Sequence, residues 1–584
     1  MLLEDGSLAR NGETHLTRSL DALKIPATVQ AILASRIDRL PNPEKELLQT
    51  LSVIGKEFPL NLVTLVTSMP EPEQTRMLAA LQQAEFIYEQ PAITDIEYTF
   101  KHALTQEVAY NSVLIEKRKP THERIGAAIE TLTTSRIEDR IAALAHHYSR
   151  SNNPMKAALY LHWAAMQAEQ RSAYPEAMEL ARRGISILAS AAEGPERDRQ
   201  ELGLQTILGG MLSTAFSPGS VEVERVQTRQ IELCRQIGDE NTLFIALIGS
   251  PVQLMVKAEG RRAREVSEQV LAMAERLHQP WMLGMAHAMQ AASLLWFGHP
   301  EAALAHCEKS LEALGPGDDA QSQFPHFTTI FPTLMHSLWL QGFPDRARKA
   351  ADETISKARA LKNTLAVMLS LTSWDLNRFL RDLVRTRNHA EAAIALGSEY
   401  GIRPLELLAI GQRAWGLVQE NPGNADLAEV RDLLEGRWVE GCEKLGIGSP
   451  PSVFAMMVEA RLKLKQPVAG LQVLEQALSR VEPTGERMYE SELYRLKGEL
   501  LALGGGKSSA KVEESFRSAI DIAREQKARS WELRATTSLA RLLSKQGKRD
   551  EARAMLAEIY NWFTEGFDTA DLKDAKALLD QLSG

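Results

Sequence analysis

The stretch from 531 to 567 constrains the fold more than any other part of this 584-residue chain. Its apolar spacing predicts one helix, a reversal at Gly547 and a second, antiparallel helix. Leu539 and Ala540 share one face of the first helix, and Ala552 lies on the facing side of the second. Small residues let two helix backbones approach closely, and glycine accepts the positive φ often needed at a helix end. Because one such pair cannot bury its apolar stripe alone, the stretch predicts neighbours of the same kind.

The same order of anchors recurs upstream, which indicates a repeat. Each copy has a small or apolar residue in one helix, a glycine at the reversal and an alanine in the next helix, as in Ala291, Gly298 and Ala303, and in Leu334, Gly342 and Ala347. This spacing resembles the tetratricopeptide repeat. We therefore predict a tetratricopeptide-like array, a right-handed α-α superhelix, over residues 121–584, ending in a capping helix at 571–582. At 200–275 and 401–450 we expect helices without a legible repeat frame.

The first 120 residues follow a different pattern. We predict a helical linker over residues 1–40. In residues 41–120, short helices precede two segments, 86–89 and 98–101, whose alternating side chains predict strands. Helices followed by a β-hairpin are typical of a winged helix. The predicted fold class is therefore all-α, with a small winged-helix domain and one β-hairpin before the array.

The charge of the chain argues against nucleic acid as a partner. The net charge is −9 and the pI is about 5.9, and residues 1–120 hold twelve Lys and Arg against sixteen Asp and Glu. A DNA-binding face usually has the opposite sign. DNA is disfavoured, and a transcription regulator contacting DNA through the winged helix remains the alternative function. No apolar run reaches the ~18 residues of a membrane helix, so we predict a cytoplasmic protein with no membrane partner.

No stretch has the residue pattern of a catalytic or metal site. The nearest match to a phosphate-binding loop is LALGGGKSS at 501–509, but Leu501 stands where the first glycine is required. His146 and His147 would point about 100° apart on a helix, so we interpret them as one buried and one surface histidine. The three cysteines follow no metal or redox spacing. The sequence predicts no enzyme, no catalytic or metal-binding residue and no cofactor in this chain.

Several strings resemble a family. IPATVQAILASRIDRLP, LLQTLSVIGKEFP, YTFKHALTQEVAYNSVL and WFTEGFDTADLKDAKALL are similar to parts of bacterial signal-transduction ATPases with numerous domains, of the type that combines an adenylate/guanylate cyclase domain, an ATPase and a tetratricopeptide array. The resemblance implies that residues 1–120 are a lid that follows a missing ATPase module. It also implies that His102, in FKHAL, corresponds to a histidine that approaches the β-phosphate of ADP. From the residues alone, His102 is a structural histidine, and ATP or ADP is expected only through a separate ATPase module.

The leading hypothesis is a non-enzymatic regulatory scaffold. Stacked helix pairs leave an extended groove whose exposed side chains can vary without disturbing the packed anchors. A protein partner is therefore expected in the superhelix groove, and the family resemblance adds a trans-acting ATPase or cyclase. Whether the ATPase half is encoded separately or has been lost is open at this point.

Overall fold

The structure, a computed structural model, describes most of the chain and divides it into two compact units. The first unit comprises residues 1–167 and 180–204, and the second comprises residues 168–179 and 205–584. The described residues are 8–11, 13–16, 27–91, 96–133, 137–215, 219–315, 330–372, 376–445, 447, 451–505 and 509–583. Gly506 to Ser508 of the loop at 501–509 lie outside these ranges.

All strands of the described residues are in the first unit. Two short strands, β1 (Leu8–Asn11) and β2 (Glu13–Leu16), pair antiparallel. A second sheet consists of β3 (Glu57–Pro59), β4 (Ile87–Pro91) and β5 (Ile96–Phe100), in the antiparallel order β3-β5-β4. The hairpin β4-β5 is the predicted one.

Two features of this part differ from the expectation. The pair β1-β2 lies inside the stretch predicted as a helical linker, residues 1–40, where 27–38 are helical among the described residues. The sequence does contain the usual hairpin signal there, because Asn11 is followed by glycine between two short segments. The strand β3 adds a third member to the predicted hairpin, and three residues are too few to show an alternating pattern.

Helices surround the three-stranded sheet. They are α1 (Ala27–Asp38), α2 (Asn42–Ile54), α3 (Leu60–Thr67), α4 (Glu71–Gln83), α5 (Ala103–Ser112), α6 (Ile115–Leu132) and α7 (Ile141–Tyr148). One continuous apolar core joins them to the sheet and includes Leu48, Phe58, Ile125 and Tyr148. The boundary predicted at residue 120 falls inside α6, because the apolar face of α6 packs on this same core.

The rest of the chain is helical wherever it is described. The helices are α8 (Pro154–Gln170), α9 (Tyr174–Leu188), α10 (Pro195–Ala215), α11 (Val221–Ile237), α12 (Glu240–Ile248), α13 (Ser250–Val256), α14 (Gly260–Leu277), α15 (Pro280–Trp296), α16 (Pro300–Leu314), α17 (Phe331–Leu340), α18 (Pro344–Ala360), α19 (Thr364–Leu371), α20 (Leu376–Phe379), α21 (Leu383–Tyr400), α22 (Arg403–Glu420), α23 (Ala428–Leu434), α24 (Arg437–Lys444), α25 (Pro451–Lys463), α26 (Pro467–Thr484), α27 (Glu490–Leu503), α28 (Ser509–Glu525), α29 (Arg529–Lys545), α30 (Arg549–Tyr560) and α31 (Ala570–Ser583). Within the second unit many consecutive helices pack on each other, as α15 on α16 and α29 on α30 do. The predicted fold class, a helical repeat chain with a small β element, is confirmed.

The predicted anchors lie where the helix pairs pack. Leu334 is half-buried, and the side chains of the other apolar anchors are fully buried: Ala291, Ala303, Ala347, Leu539, Ala540 and Ala552. The reversals at Gly298, Gly342 and Gly547 have φ values of +80°, +88° and +83°, a region that side chains with a Cβ rarely adopt. The helix α31 occupies the span of the predicted capping helix, and its Leu572 and Ala575 join the core of the last pair.

Candidate functional site

A line of long-range contacts joins two parts of the second unit, and we call this line the seam. The seam links a first limb, residues 260–381, to a second limb, residues 451–574. Along much of its length it joins residues that are 219–226 positions apart, as in Lys527–Glu301, Arg346–Glu565, Arg348–Asp568 and Gly566–Asp345. Other contacts of the seam join residues 81 to 193 positions apart, as in Arg378–Glu459 and Arg381–Asp574.

The glycines at the helix reversals have a second role at the seam. A methyl group on Gly342 would lie 2.5 Å from the Trp562 ring, and one on Gly298 would lie 2.7 Å from the side-chain nitrogen of Gln526. A methyl group on Gly547, which is outside the seam, would meet no atom within 4 Å. The first two glycines therefore permit close approach of the limbs, whereas Gly547 serves only its own turn.

Four buried aromatic side chains form the centre of the seam. Trp339 stacks on Phe379 with ring centroids 4.6 Å apart, and its ring lies 4.7 Å from that of Trp531. Tyr489 completes the cluster at 5.5 Å from Phe379. The indole nitrogen of Trp531 donates to the carbonyl of Met488 at 3.0 Å, so burial of the ring leaves no unpaired donor there.

A buried ion-pair network lies beside the aromatic cluster. Glu492, whose side chain is 1% exposed, lies 2.7 Å from Arg495 and 3.5 Å from Arg534. Burial by itself raises the pKa of Glu492, but the charge and hydrogen bonds of Arg495, with the charge of Arg534, outweigh burial and lower the pKa. Arg534 also pairs with Asp571 at 2.8 Å. The network therefore connects α27 and α29 to the start of α31.

A second buried pair joins the two limbs. Arg378, 3% exposed, lies 2.9 Å from a carboxylate oxygen of Glu459 and donates to the hydroxyl of Tyr489 at 2.6 Å. The other oxygen of Glu459 accepts from the indole nitrogen of Trp415 at 2.7 Å. Each charge is thus compensated, which a buried ion needs if it is not to destabilise the fold.

At its end, the seam is formed by two stretches that meet face to face. We call residues 561–574 the C-terminal segment, and we call Gly342–Arg348 together with Arg381 the docking edge. The backbone nitrogen of Gly566 donates to Asp345 at 2.8 Å. Trp562 has its ring 5.7 Å from that of Phe343 in the first limb.

The seam leaves little room in this part of the predicted groove. A cavity between the limbs, lined by Trp339, Pro344, Ser530 and Phe563 among others, has a volume of about 10 Å³, which is room for at most one water molecule. A partner using this part of the array would have to displace chain that is already there. The sequence could not show this, because a repeat pattern reports neighbours along the chain and not contacts 220 residues apart.

His102, the one nucleotide-contact candidate, lies in the first unit at the beginning of α5. Its backbone is extended, its carbonyl accepts from the backbone nitrogen of Thr105 at 2.9 Å, and its side chain is exposed. Among the described residues its imidazole makes no hydrogen bond. The next residue back, Lys101, pairs with Glu85 at 2.9 Å. The side chain is thus accessible.

The adjacent histidines are placed as interpreted from sequence, with His147 buried and His146 exposed. The sequence missed a third member, His122, whose Nδ1 lies 2.9 Å from Nδ1 of His147 and whose Nε2 lies 3.2 Å from the Tyr110 hydroxyl. Burial, with positive charge from neighbours including Arg150, lowers the pKa of His122 to about 4 and that of His147 to about 3. Both rings are therefore neutral at pH 7.

In the described part of the chain no cluster of three metal-ligating side chains is found, and no helix is both long and apolar enough to cross a membrane.

Comparisons with known proteins give distant relatives. No family model matches the chain. The uncharacterized protein R02095 of Rhizobium meliloti (strain 1021) is 23% identical over 542 residues, which cover 88% of this chain and 50% of that protein. The chain therefore spans about half the length of the curated relative it matches.

Solved structures with partial similarity are helical repeat proteins. They include a Signal Transduction ATPase with Numerous Domains (STAND) protein with a tetratricopeptide repeat sensor from Pyrococcus horikoshii, at 13% identity and a TM-score of 0.26, covering 97% of this chain and 68% of that chain. The APC/C hetero-tetramer Cut9–Hcn1 matches at 12% identity and a TM-score of 0.34, covering 82% and 96%, and yeast Tom70 at 13% and 0.27, covering 80% and 94%. The fold assignment rests on the helices and contacts of this chain itself.

Proposed function

We propose that this chain is a non-enzymatic protein-binding scaffold of the cytoplasm, the sensor and lid part of a signal-transduction ATPase or cyclase regulator. The nucleotide-binding module is supplied outside this chain. The observation that carries the proposal is the seam. It is a contact between two limbs of one helical array, and its exposed end is held by separable polar pairs.

The exposed ion pairs of the seam contribute little to the stability of the contact between the limbs. Arg348 and Asp568 are 29% and 65% exposed, and Arg381 and Asp574 are 47% and 44% exposed. Ion pairs at such exposure contribute roughly 0–1 kcal/mol each. A partner that offers comparable contacts can therefore open the end of the seam at a modest cost, which is what a sensor requires.

The lid role is supported by the first unit. Its order α2, β3, α3, α4, β4, β5 is the order of a winged helix, with β4 and β5 in the position of the wing, and His102 follows β5 with its side chain exposed. We propose that His102 contacts the phosphate of ADP held by the ATPase partner. The match leaves half of the curated relative uncovered, so proteins of this kind have room for such a module.

The test is association with an ATPase. The full chain is to be co-purified with candidate ATPases encoded near its gene, with ADP, with ATP and without nucleotide. We expect a stoichiometric complex whose stability depends on the nucleotide. Absence of any complex under all three conditions contradicts the proposal.

A variant of the same complex tests the lid histidine. His102→Ala should weaken retention of ADP roughly tenfold, the effect of losing one hydrogen bond to a charged group. His146→Ala is the matched control, since His146 is also exposed but has no place in the proposed contact. Equal ADP retention by the two variants contradicts a role for His102.

The structure does not favour the DNA alternative. The exposed face of α4, which is the third helix of the winged-helix order, carries Glu71, Glu73 and Arg76, and Arg76 lies 3.5 Å from Glu44. A helix that reads DNA needs basic side chains free to meet phosphates. Salt-dependent binding of duplex DNA by the full chain would restore this alternative.

A further inference from the structure

We infer that the docking edge is a binding site for an acidic peptide with aromatic side chains, and that the C-terminal segment occupies this site in cis until a protein partner displaces it. The inference rests on the proposed function as a protein-binding scaffold and names the chemistry of the partner. The chain itself shows that chemistry, because its own segment is seated on the edge.

The charges of the two stretches are complementary. The C-terminal segment presents acids at every third residue, Glu565, Asp568, Asp571 and Asp574. Three arginines of the docking edge meet all four acids: Arg346 lies 3.3 Å from Glu565, Arg348 lies 3.2 Å from Asp568, and Arg381 lies 2.7 Å from Asp574 and 3.4 Å from Asp571. A row of arginines at this spacing selects an acidic partner.

The beginning of α18 adds a backbone site for one of these acids. Glu565 accepts from the backbone nitrogen of Arg346 at 3.0 Å, and Arg346 is the third residue of α18, which begins with Pro344. The first backbone N–H groups of a helix have no partner within the helix, and the helix dipole favours negative charge there. The carboxylate of Glu565 thus occupies a position that a partner's carboxylate can take over.

Aromatic contacts define the second recognition element. The Arg346 guanidinium lies 3.5 Å from the centroid of the Phe343 ring, and the Trp562 ring lies 5.7 Å from the Phe343 ring. The Arg529 guanidinium lies 5.4 Å from the centroid of the Trp562 ring. Trp562 is 37% exposed, whereas Phe563 is 5% exposed. The edge therefore holds an aromatic side chain, Trp562, three residues before the first acid, and this side chain is only partly buried.

Occupation in cis lowers the apparent affinity for a partner. A site that is open only in a fraction of molecules binds with its intrinsic affinity reduced by that fraction. Removing the charges of the segment should therefore expose the edge and strengthen binding in trans. Removing the arginines should weaken binding in trans, whether or not the segment is loosened.

The probe is a fluorescent peptide with the sequence of residues 560–574. It is titrated into the full chain as wild type, as E565Q/D568N, as E565Q/D568N with R346Q/R348Q, and as D580N. The last variant removes an exposed acid that pairs with Lys576 within α31, away from the edge. We expect E565Q/D568N to bind roughly tenfold more tightly than wild type, the added R346Q/R348Q to remove at least that gain, and D580N to match wild type.

Equal binding by all four chains overturns the inference, and so does equal binding of a peptide with the same residues in scrambled order. Should E565Q/D568N not fold, hydrogen exchange of wild type provides the test: excess peptide should accelerate exchange in residues 561–569, and unchanged exchange overturns the inference. If the peptide does not bind while an ATPase still co-purifies, the proposed function stands and the acidic-peptide partner is wrong. If the peptide binds while no ATPase associates, the acidic-peptide site stands and the ATPase association is wrong.

Discussion

The interior of a helix pair and the seam hold the second unit together in different ways. Within the pair α29–α30, the contact is made by Leu539, Ala540 and Ala552, which are fully buried and carry no polar atom in their side chains. Across the seam, the contacts combine aromatic rings with the buried pair Arg378–Glu459 and with exposed pairs such as Arg348–Asp568. The first contact joins sequence neighbours, and the second joins residues 81 to 226 positions apart.

This difference separates a permanent contact from a selective one. Apolar packing stabilises whatever fits and has no directional requirement. A buried charge is stable only with its particular partner, since it is costly to leave unpaired. We conclude that the helix pairs supply stability, while the seam specifies one arrangement of the limbs; under the proposal above, a matching partner opens its exposed end.

The largest effect is expected in the buried ion-pair network beside the seam. Glu492→Gln leaves Arg495 as a buried charge without its main partner, and loss of one member of a buried pair costs about 3–5 kcal/mol. Glu513→Gln, in a surface pair with Arg517 at 2.8 Å, should cost less than about 1 kcal/mol. Hydrogen exchange of residues 490–545 measures both opening free energies. Similar values for the two variants would erase the distinction between buried and exposed charges in the second limb.

The histidine pair of the first unit sharpens the comparison, since it is a polar contact inside an apolar core with no carboxylate partner. The pKa of His147 is lowered to about 3 from about 6.5 in an unfolded chain. The unfolded state therefore binds the proton more readily, so this contribution to stability is present above pH 6.5 and is lost as the pH falls below it. At pH 5 the loss is about 2 kcal/mol relative to pH 8.

Thermal unfolding of the first unit at these two pH values, followed by hydrogen exchange, measures the loss. His147→Gln should reduce the pH dependence, because the amide can still bond to His122 but does not titrate in this range. The rest of the dependence should remain, because burial also lowers the pKa of His122 to about 4. His146→Gln should reduce the dependence by less, since partial burial also lowers the pKa of His146. An unchanged slope in His147→Gln would show that other groups determine it.

A pair of glycine substitutions compares the seam with an isolated turn. Gly342→Ala and Gly547→Ala impose the same backbone strain, since the φ values are +88° and +83°, at a cost of about 1 kcal/mol. Only Gly342→Ala also drives a methyl group into the Trp562 ring, which should add a further ~1–3 kcal/mol. Equal destabilisation of the two variants in urea unfolding would mean that the limbs separate without cost at this point.

The sequence predicts the helix pairs well because their signals are local. The anchors of one pair lie within about 15 residues, and the helical period places them on facing sides. A helix was predicted at 571–582 and one is present at 570–583 for the same reason. The strand Glu57–Pro59 was missed because three residues do not establish a period. The predicted boundary at 120 falls inside a helix because one helix can pack on elements both before and after it.

The candidate site could not be predicted from the sequence, for a different reason. The acids at 565, 568, 571 and 574 are visible as a three-residue spacing, yet on a helix end this also suits a solvated face. Nothing local indicates that they meet Arg346, Arg348 and Arg381. Likewise, His146–His147 stands out in the sequence, while His122, 25 residues away, carries no signal that it joins them.

The smallest effect is expected at the exposed end of the seam, and its smallness is itself informative. Asp568→Asn removes one charge from a pair in which the aspartate is 65% exposed, and the free energy of unfolding should fall by less than about 1 kcal/mol. Exchange of the backbone amides in residues 561–569 should nevertheless become measurably faster, because local opening depends on the few contacts of that segment rather than on the whole fold. Asp580→Asn, in the pair Lys576–Asp580 of α31, should change neither quantity. If Asp568→Asn destabilised the whole second unit as strongly as Glu492→Gln, the end of the seam would be part of the permanent core, and a partner could not exchange with the C-terminal segment without unfolding the array.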